Sequence, residues 1–573
     1  MLDILLLNVH RRYLNYSPQY GGFLGIYLLA AFVRQEGYLA KSYSGTLVES
    51  LKIIDDLCGV GAVSMVGLYC DYDNVTENIA LCRYIKDKYD LPVVVGGPQA
   101  TALNKKFYVT SGCDAIVRYE GELTLLELMN YYLEGVGNLQ NVCGISYLKN
   151  GCLKTNTDRK LIENLDGLPF IDEACYLDPK QYYKGLSIMT GRGCPFHCAF
   201  CHEGSHTRKV RFRSVDNVLA EIDLYLSKTT DDNVYILFTD DTLTLMPKRV
   251  KELCDGIAER QGKRKFRWFC EGHVHSLYTH PEMIVDLARA GCTRIQLGIE
   301  AGTASVLKAY GKNTTPEEII SVVRQCRDAG ISQIYGNIIL AGAYFSKEIY
   351  DADQKFVKKL LRVSQGTLEI GVVTFWPLSE TPMTLNPSNY GIKVYDKDFV
   401  TSAGDFPQAA TDELSRYDIA VMQKNFEDNI SKQMIDMMEN WEVPTERILG
   451  WFKNKPVQDG AGAWFLKLMS QEVLYSYYEM LYLGEGSTSE DINDIYKAHP
   501  LRVARLYRYL STGDDGQVDI RGELFNVEEM NVVALTTGKL SVEEIVNYTG
   551  LEKNMVIGVL NRLEKRHLIV YTV

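Results

Sequence analysis

Short apolar runs alternate with amphipathic stretches over residues 1–150. Asp3–Val9, Val63–Leu68, Pro92–Gly96 and Asp114–Arg118 have the length and continuous apolarity of buried strands. Phe23–Glu36 and Asn74–Lys88, between them, carry apolar residues at helical spacing. This alternation predicts a doubly wound parallel sheet with helices on both faces. Ligands of such sheets sit beyond the carboxyl ends of the strands. The expected groove is therefore bordered by Asn8–His10, Tyr69–Tyr72 and Gly96-Gly97-Pro98. Residues 151–185 lack a long periodic segment and are punctuated by Leu168-Pro169 and Asp178-Pro179, so they read as a linker.

A second alternating series begins at Leu186. Its predicted strands are Leu186–Thr190, Val234–Phe238, Phe266–Glu271, Arg294–Ile299, Ile334–Leu340 and Glu369–Phe375. Ser214 can cap a helix carrying Val218, Ile222, Tyr225 and Leu226 on one face, and Thr315-Pro316-Glu317-Glu318 is a capping box with proline in the first turn. Six such units are too few for a closed eightfold barrel and predict a partial (β/α)6 barrel over residues 186–385. Beyond it the strands fade, and residues 386–524 read as a helical region. Val527–Thr537, Ser541–Thr549 and Glu552–Arg566 then predict three short helices, and His567–Val573 a strand. That is the outline of a winged helix over residues 525–573, with Val532, Leu535, Ile545, Val556, Val559, Leu560 and Leu563 as its small core.

Composition narrows the class. Of 573 residues, 46% are hydrophobic and 23% charged, which excludes a disordered or fibrous chain. A net charge of −12 disfavours a general nucleic-acid coat protein. Phe23–Val33, broken by Gly25, is far shorter than the ~20 apolar residues of a membrane span. Met1–Asn8 reads as a buried first strand rather than a signal peptide. A cytoplasmic location is expected. The 14 cysteines then read as reduced thiols, and isolated ones such as Cys58, Cys82, Cys254 and Cys326 as small buried hydrophobes. Cys270, ending the third barrel strand, points either into the barrel or into the core.

One cluster differs. Gly191-Arg192-Gly193-Cys194-Pro195-Phe196-His197-Cys198-Ala199-Phe200-Cys201 spaces its thiols C-x3-C-x2-C directly after a strand. A structural zinc site wants four ligands, which His197, His202 or His206 could complete. A conventional 4Fe-4S cluster wants four thiolates, so three would leave one iron open to a substrate or cofactor. Gly191 and Gly193 allow the backbone to turn tightly around a bulky cluster.

Here the sequence resembles the radical S-adenosylmethionine (radical SAM) superfamily, whose signature is C-x3-C-x-aromatic-C, with Phe200 as the aromatic. The resemblance implies that Cys194, Cys198 and Cys201 hold a 4Fe-4S cluster. Its open iron would chelate the amino and carboxylate groups of S-adenosylmethionine, and one electron would cleave the sulfonium to give methionine and a 5′-deoxyadenosyl radical. It also implies cofactor contacts from Phe200, from Asp240 and Asp241 in Phe238-Thr239-Asp240-Asp241-Thr242, from Glu300 in Gly298-Ile299-Glu300-Ala301-Gly302-Thr303, and from Asn337 on the fifth strand. A one-electron donor such as a flavodoxin or ferredoxin is implied as well.

Residues 1–150 resemble the cobalamin-binding domain that precedes many radical SAM domains. The Gly96-Gly97-Pro98 turn and Arg118-Tyr119-Glu120-Gly121-Glu122 carry that resemblance, which implies cobalamin contacts from Tyr69, Gly96 and Gly97. The Asp-x-His-x-x-Gly motif that supplies a cobalt ligand elsewhere is absent, and His10 is the sole histidine before residue 150. The expectation is therefore a radical SAM enzyme performing cobalamin-dependent C-methylation of an unactivated carbon in a natural product or peptide. The alternatives are a non-methylating radical SAM enzyme with a relic cobalamin domain, or an iron–sulfur redox-sensing or binding protein. DNA is disfavoured as a partner: Lys553, Arg562, Lys565 and Arg566 on the last helix are mixed with Glu552 and Glu564. No catalytic residue beyond the cofactor ligands is assigned.

Overall fold

The computed structural model describes residues 1–10, 24–99, 105–202, 209–232, 234–378, 380–395, 406–454, 462–513 and 517–572. Phe23, His206 and Val573, named above, lie outside them. The chain divides into two compact units, Met1–Val357 with Ile370–Phe426, and Lys358–Glu369 with Glu427–Val573.

The first unit opens with an α/β sheet built from β1 (Ile4–His10), α1 (Leu24–Gln35), β2 (Ala40–Thr46), α2 (Leu47–Cys58), β3 (Val66–Tyr69), α3 (Val75–Tyr89), β4 (Val93–Gly96), α4 (Lys105–Ser111), β5 (Ala115–Val117), α5 (Glu122–Glu134), β6 (Ile145–Lys149) and β7 (Cys152–Thr155). The strand order is β2-β1-β3-β4-β5-β6-β7. β2 to β5 run parallel through β1, as the apolar runs predict, while β6 and β7 form an antiparallel hairpin at the edge. β2 escapes sequence reading because small polar residues, not aliphatic ones, fill it. Ser42 is fully buried, and its hydroxyl donates to the Ile26 carbonyl at 2.8 Å, which removes the desolvation cost. The segment read as a linker contributes β7 and short helical turns at Leu165–Gly167, Glu173–Cys175 and Pro179–Tyr182.

The six-stranded barrel wall has the order β15-β14-β13-β12-β11-β8. β8 is Leu186–Ile188, followed by a small ribbon of β9 (Gly191–Arg192) and β10 (Arg211–Phe212). Then come β11 (Tyr235–Phe238), β12 (Arg267–Gly272), β13 (Cys292–Glu300), β14 (Gln333–Leu340) and β15 (Leu368–Thr374). All six expected barrel strands are present and are paired in sequential order. Ser214 caps Val215–Lys228, and Thr315 with Glu318 forms the reciprocal capping box on Pro316–Asp328.

In the second unit, helices Val527–Leu535, Val542–Thr549 and Lys553–Lys565 bury Val532, Ile545, Val556, Val559, Leu560 and Leu563, with Leu535 packed against that core. The closing strand Ile569–Thr572 pairs antiparallel with His499–Arg502, upstream of residue 525. No described helix is long and apolar enough to cross a membrane.

Gly97 sits where the turns after β3 and β4 cross. Its φ is +113°, and a Cβ there would lie 2.6 Å from the Cys70 carbonyl oxygen. Cys70 N donates to the Gly96 carbonyl at 2.7 Å and Gln99 N to the Cys70 carbonyl at 3.2 Å, so the two turns are tied together. Gly97→Ala is expected to cost on the order of 2 kcal/mol or more in urea unfolding, through strain and a backbone clash. Gly135→Ala, where φ is positive but nothing lies within 4 Å, should cost less.

Candidate functional site

The three-cysteine loop is braced by several neighbouring elements. β9 and β10 pair antiparallel at its base, and Gly191 is required there because a Cβ would lie 2.8 Å from the Arg211 carbonyl oxygen. Asp240 accepts from Thr190 N at 2.9 Å and Thr190 Oγ1 at 2.6 Å, which locks β11 to the approach of the loop. Asp241 accepts from Gly193 N at 3.1 Å, the residue before Cys194. Phe196 stacks on His273 with centroids 3.7 Å apart. Ala199 N donates to the Tyr310 carbonyl at 2.8 Å and Met383 N to the Ala199 carbonyl at 3.1 Å. Gly311 allows that approach, since a Cβ would stand 2.7 Å from the His197 carbonyl oxygen. Phe200 packs edge-on against Tyr310.

The thiols of Cys194, Cys198 and Cys201 are half-buried, and none of the 14 cysteines forms a disulfide. Burial pushes the Cys198 thiol up, with the Lys312 ammonium opposing and the Glu300 carboxylate adding to it. Glu300 stands in a left-handed conformation, φ +62°, at an irregularity in the β13–β14 pairing. Its Oε1 accepts from Lys312 Nζ at 2.9 Å, and the same ammonium donates to the Gly298 carbonyl at 2.8 Å. Among the described residues no three His, Cys, Asp or Glu side chains converge on a point that would hold a single metal ion. A cubane makes a different demand, because each thiolate binds its own iron.

The sequence-predicted residues separate into groups. Asp241 and Glu300 border the cysteine loop, whereas the Asp240 carboxylate is engaged with Thr190 in the barrel wall; burial first, then Asp241, raise its pKa to about 6. Asn337 Oδ1 accepts from the Tyr335 hydroxyl at 2.9 Å. Cys270 faces the core, fully buried beside Cys292. Sequence reasoning missed Lys312, His273 and Glu271. Burial holds the His273 imidazole down to about 3, so it stacks on Phe196 as a neutral ring. Burial likewise pushes the Glu271 carboxyl up to about 8, reinforced by Asp241, Glu300 and Asp240. A carboxylate ending the strand Phe266–Glu271, after the apolar run Trp268-Phe269-Cys270, was the available signal.

Tyr69, Gly96 and Gly97 line a separate cavity of about 380 Å³. One wall is apolar, formed by Leu24, Leu28 and Leu29 of α1, Val94 and Val117 of the sheet, and Leu125 of α5. Gly67 belongs to it as well; a Cβ there would stand 2.5 Å from Leu6 Cδ2. The rest of the lining includes polar side chains: Glu120, Glu122, Arg192, Arg211, His202 and Asp241. Arg192 pairs with Glu120 at 3.1 Å and Glu122 at 2.5 Å, and Arg211 with Glu120 at 2.7 Å. The cavity thus reaches from the strand ends of the first sheet to the base of the cysteine loop. Its volume is in the range of small-molecule sites.

Comparison with known proteins follows the same division. Residues 188–351 match the family model of the Radical SAM superfamily. An uncharacterized methyltransferase of Pyrococcus horikoshii is 29% identical over 359 residues, spanning 59% of this chain and 73% of that protein. Among solved structures, the cobalamin-dependent S-adenosylmethionine radical enzyme OxsB with aqua-cobalamin bound superposes with a TM-score of 0.60 at 18% identity, over 99% of this chain and 81% of its own. The radical S-adenosylmethionine methyltransferase TsrM of Kitasatospora setae gives 0.57 at 17%, over 69% and 78%. At these identities the likeness establishes the fold.

The raised Glu271 carboxyl carries a pH signature. The unfolded group titrates near 4.5 and the folded one near 8. Its contribution to stability is therefore fully present below about pH 4.5 and is lost as pH rises through 8. Glu271→Gln removes that loss. Between pH 5 and 9 the parent protein should fall on the order of a few kcal/mol relative to the variant in anaerobic denaturant unfolding. Parallel curves would place Glu271 in solvent.

Proposed function

We infer, from the chain's membership of the radical SAM superfamily, that it is an enzyme whose cobalamin-assisted radical chemistry methylates an unactivated carbon of a natural product or peptide. The observation that carries this reading is the shared border of two sites: Asp241 touches Gly193 of the cysteine loop and also lines the cavity that begins at Tyr69, Gly96 and Gly97.

The residues present fit both groups. Cys194, Cys198 and Cys201 would each take one iron of a 4Fe-4S cluster, and the braced loop holds them in place without a fourth protein ligand. The apolar slot against α1, with no side chain at Gly67, Gly96 or Gly97, suits the flat base and sugar of a corrinoid's nucleotide tail. When bound, the cluster and S-adenosylmethionine supply a carbon radical and the corrinoid supplies methyl transfer. The chain's own work is positioning. Glu300 and Asp241 offer carboxylates to the methionine ammonium or the ribose hydroxyls. Lys312 holds Glu300 in place, Phe200 and Asn337 would contact the adenosyl group, and Tyr69, which lines the slot, would contact the corrinoid. His10 is not used as a cobalt ligand. A flavodoxin or ferredoxin would deliver the electron, and a reducing cytoplasm suits thiols that form no disulfide.

Anaerobic reconstitution tests the reading. Replacing any one of Cys194, Cys198 or Cys201 by alanine should abolish the brown colour and reductive cleavage of S-adenosylmethionine; a triple variant with full iron and cleavage would overturn it. Glu300→Gln should keep the iron and weaken S-adenosylmethionine binding by about 1–3 kcal/mol. Hydroxocobalamin should load with a spectrum lacking a nitrogen ligand on cobalt. Failure to load would favour a non-methylating radical enzyme.

A further inference from the structure

The barrel wall sorts its side chains by chemistry. Trp268, Cys270, Ile295, Leu297, Ile334 and Ile338 alternate along β12, β13 and β14 and are fully or almost fully buried. The positions between them face the barrel interior. Strand register stacks these into rungs: Phe269 beside Arg294 beside Gln333, then Glu271 beside Gln296 beside Tyr335. The second rung is satisfied internally, with Gln296 Nε2 donating to Glu271 Oε1 at 3.1 Å and the Tyr335 hydroxyl to Asn337 at 2.9 Å.

The first rung is not. The Arg294 guanidinium lies over the rings of Phe269 and Tyr335, 5.8 and 5.2 Å from their centroids. Its Nε is buried without an acceptor among the described residues. Gln333 is 2% exposed, yet neither its Oε1 nor its Nε2 has a partner among the described residues. A buried amide and a half-buried cation left this way cost stability unless something else bonds them. The interior is also polarised. Asp241 and Glu300 gather at the strand ends beside the cysteine loop, while Arg294 stands six positions earlier than Glu300 on β13, ~20 Å down the strand. A cationic cofactor suits the acidic end, and an anion suits the other.

We propose that Arg294 and Gln333 form the far end of the substrate site, a subsite for an oxyanion, carboxylate or phosphate, carried by the substrate away from its reacting carbon. The guanidinium fork offers two parallel donors to such a group, and the Gln333 amide offers a third. Phe269 and Tyr335 hold the fork flat and supply apolar contact to the carbon chain next to the oxyanion. This proposal rests on the enzyme reading above.

The test uses anaerobic, cluster-loaded enzyme titrated calorimetrically with hexanoate, hexyl phosphate and, as the uncharged control, hexanol. Saturable binding of either oxyanion, weakened about tenfold or more in Arg294→Gln and partly recovered in Arg294→Lys, supports the subsite. The tighter of the two names the oxyanion. The lysine variant keeps the charge but loses the fork, so a specific loss is separated from unfolding. Equal binding by parent and Arg294→Gln, or hexanol binding as tightly as both oxyanions, overturns the proposal. Failure of the parent enzyme to hold iron and cleave S-adenosylmethionine would instead remove the enzyme reading, whatever the titration gives.

Discussion

Arg192 stands two residues before Cys194, and its guanidinium is buried against two carboxylates of the preceding sheet. Glu120 and Glu122 are 11% and 4% exposed in their side chains, and Arg192 and Arg211 are the charges that offset that burial. Burial alone would push the Glu120 carboxyl up; Arg211 and Arg192 hold it below its ordinary range instead. Removing any one member strands a charge in a low-dielectric setting, so the network fixes where the first sheet meets the cysteine loop. Glu122 is also the first residue of α5, and Ile162 N donates to Glu120 at 2.8 Å, which ties the following segment into the same knot.

The two halves of the candidate site depend on that knot. Polar lining of the 380 Å³ cavity comes from the ion network, and its apolar wall is α1, α5 and the sheet. On the other side of the network the cysteine loop is held by Asp241, His273, Tyr310 and Gly311. The cavity and the cysteine loop therefore share this one ion-paired partition. Such preorganisation is what a reaction between two bound groups requires.

Much of this was legible in the chain. The six barrel strands follow from short segments rich in apolar residues that alternate with helical ones, and the cysteine spacing survives as a local property of one loop. Other features resisted reading for identifiable reasons. β2 is made of small polar residues whose burial depends on a hydrogen bond to α1, so no apolar run marks it. Asp240 and Asp241 are neighbours in an acidic pair, yet one is engaged with Thr190 and the other reaches Gly193. Adjacent strand-end residues point in different directions, and spacing alone does not say which carboxylate meets the loop. Lys312 and His273 belong to segments with no motif, and their roles come from what packs against them.

By itself the sequence determined the alternation of strands and helices, the three thiols on one turn, and the acidic residues at strand ends. These are local: periodicity selects strand or helix, and thiols seven positions apart or fewer share a loop whatever surrounds them. Only the tertiary structure decided which charges are paired, which polar groups are left unpaired, and which cavity lies beside the cysteine loop. Those depend on distances between residues far apart in the chain. Arg192 finds Glu122 across 70 positions, and Arg294 stands beside Gln333 only because β13 and β14 pair in that register. Burial then sets the energetic weight of each contact, and burial exists only once the layers have packed.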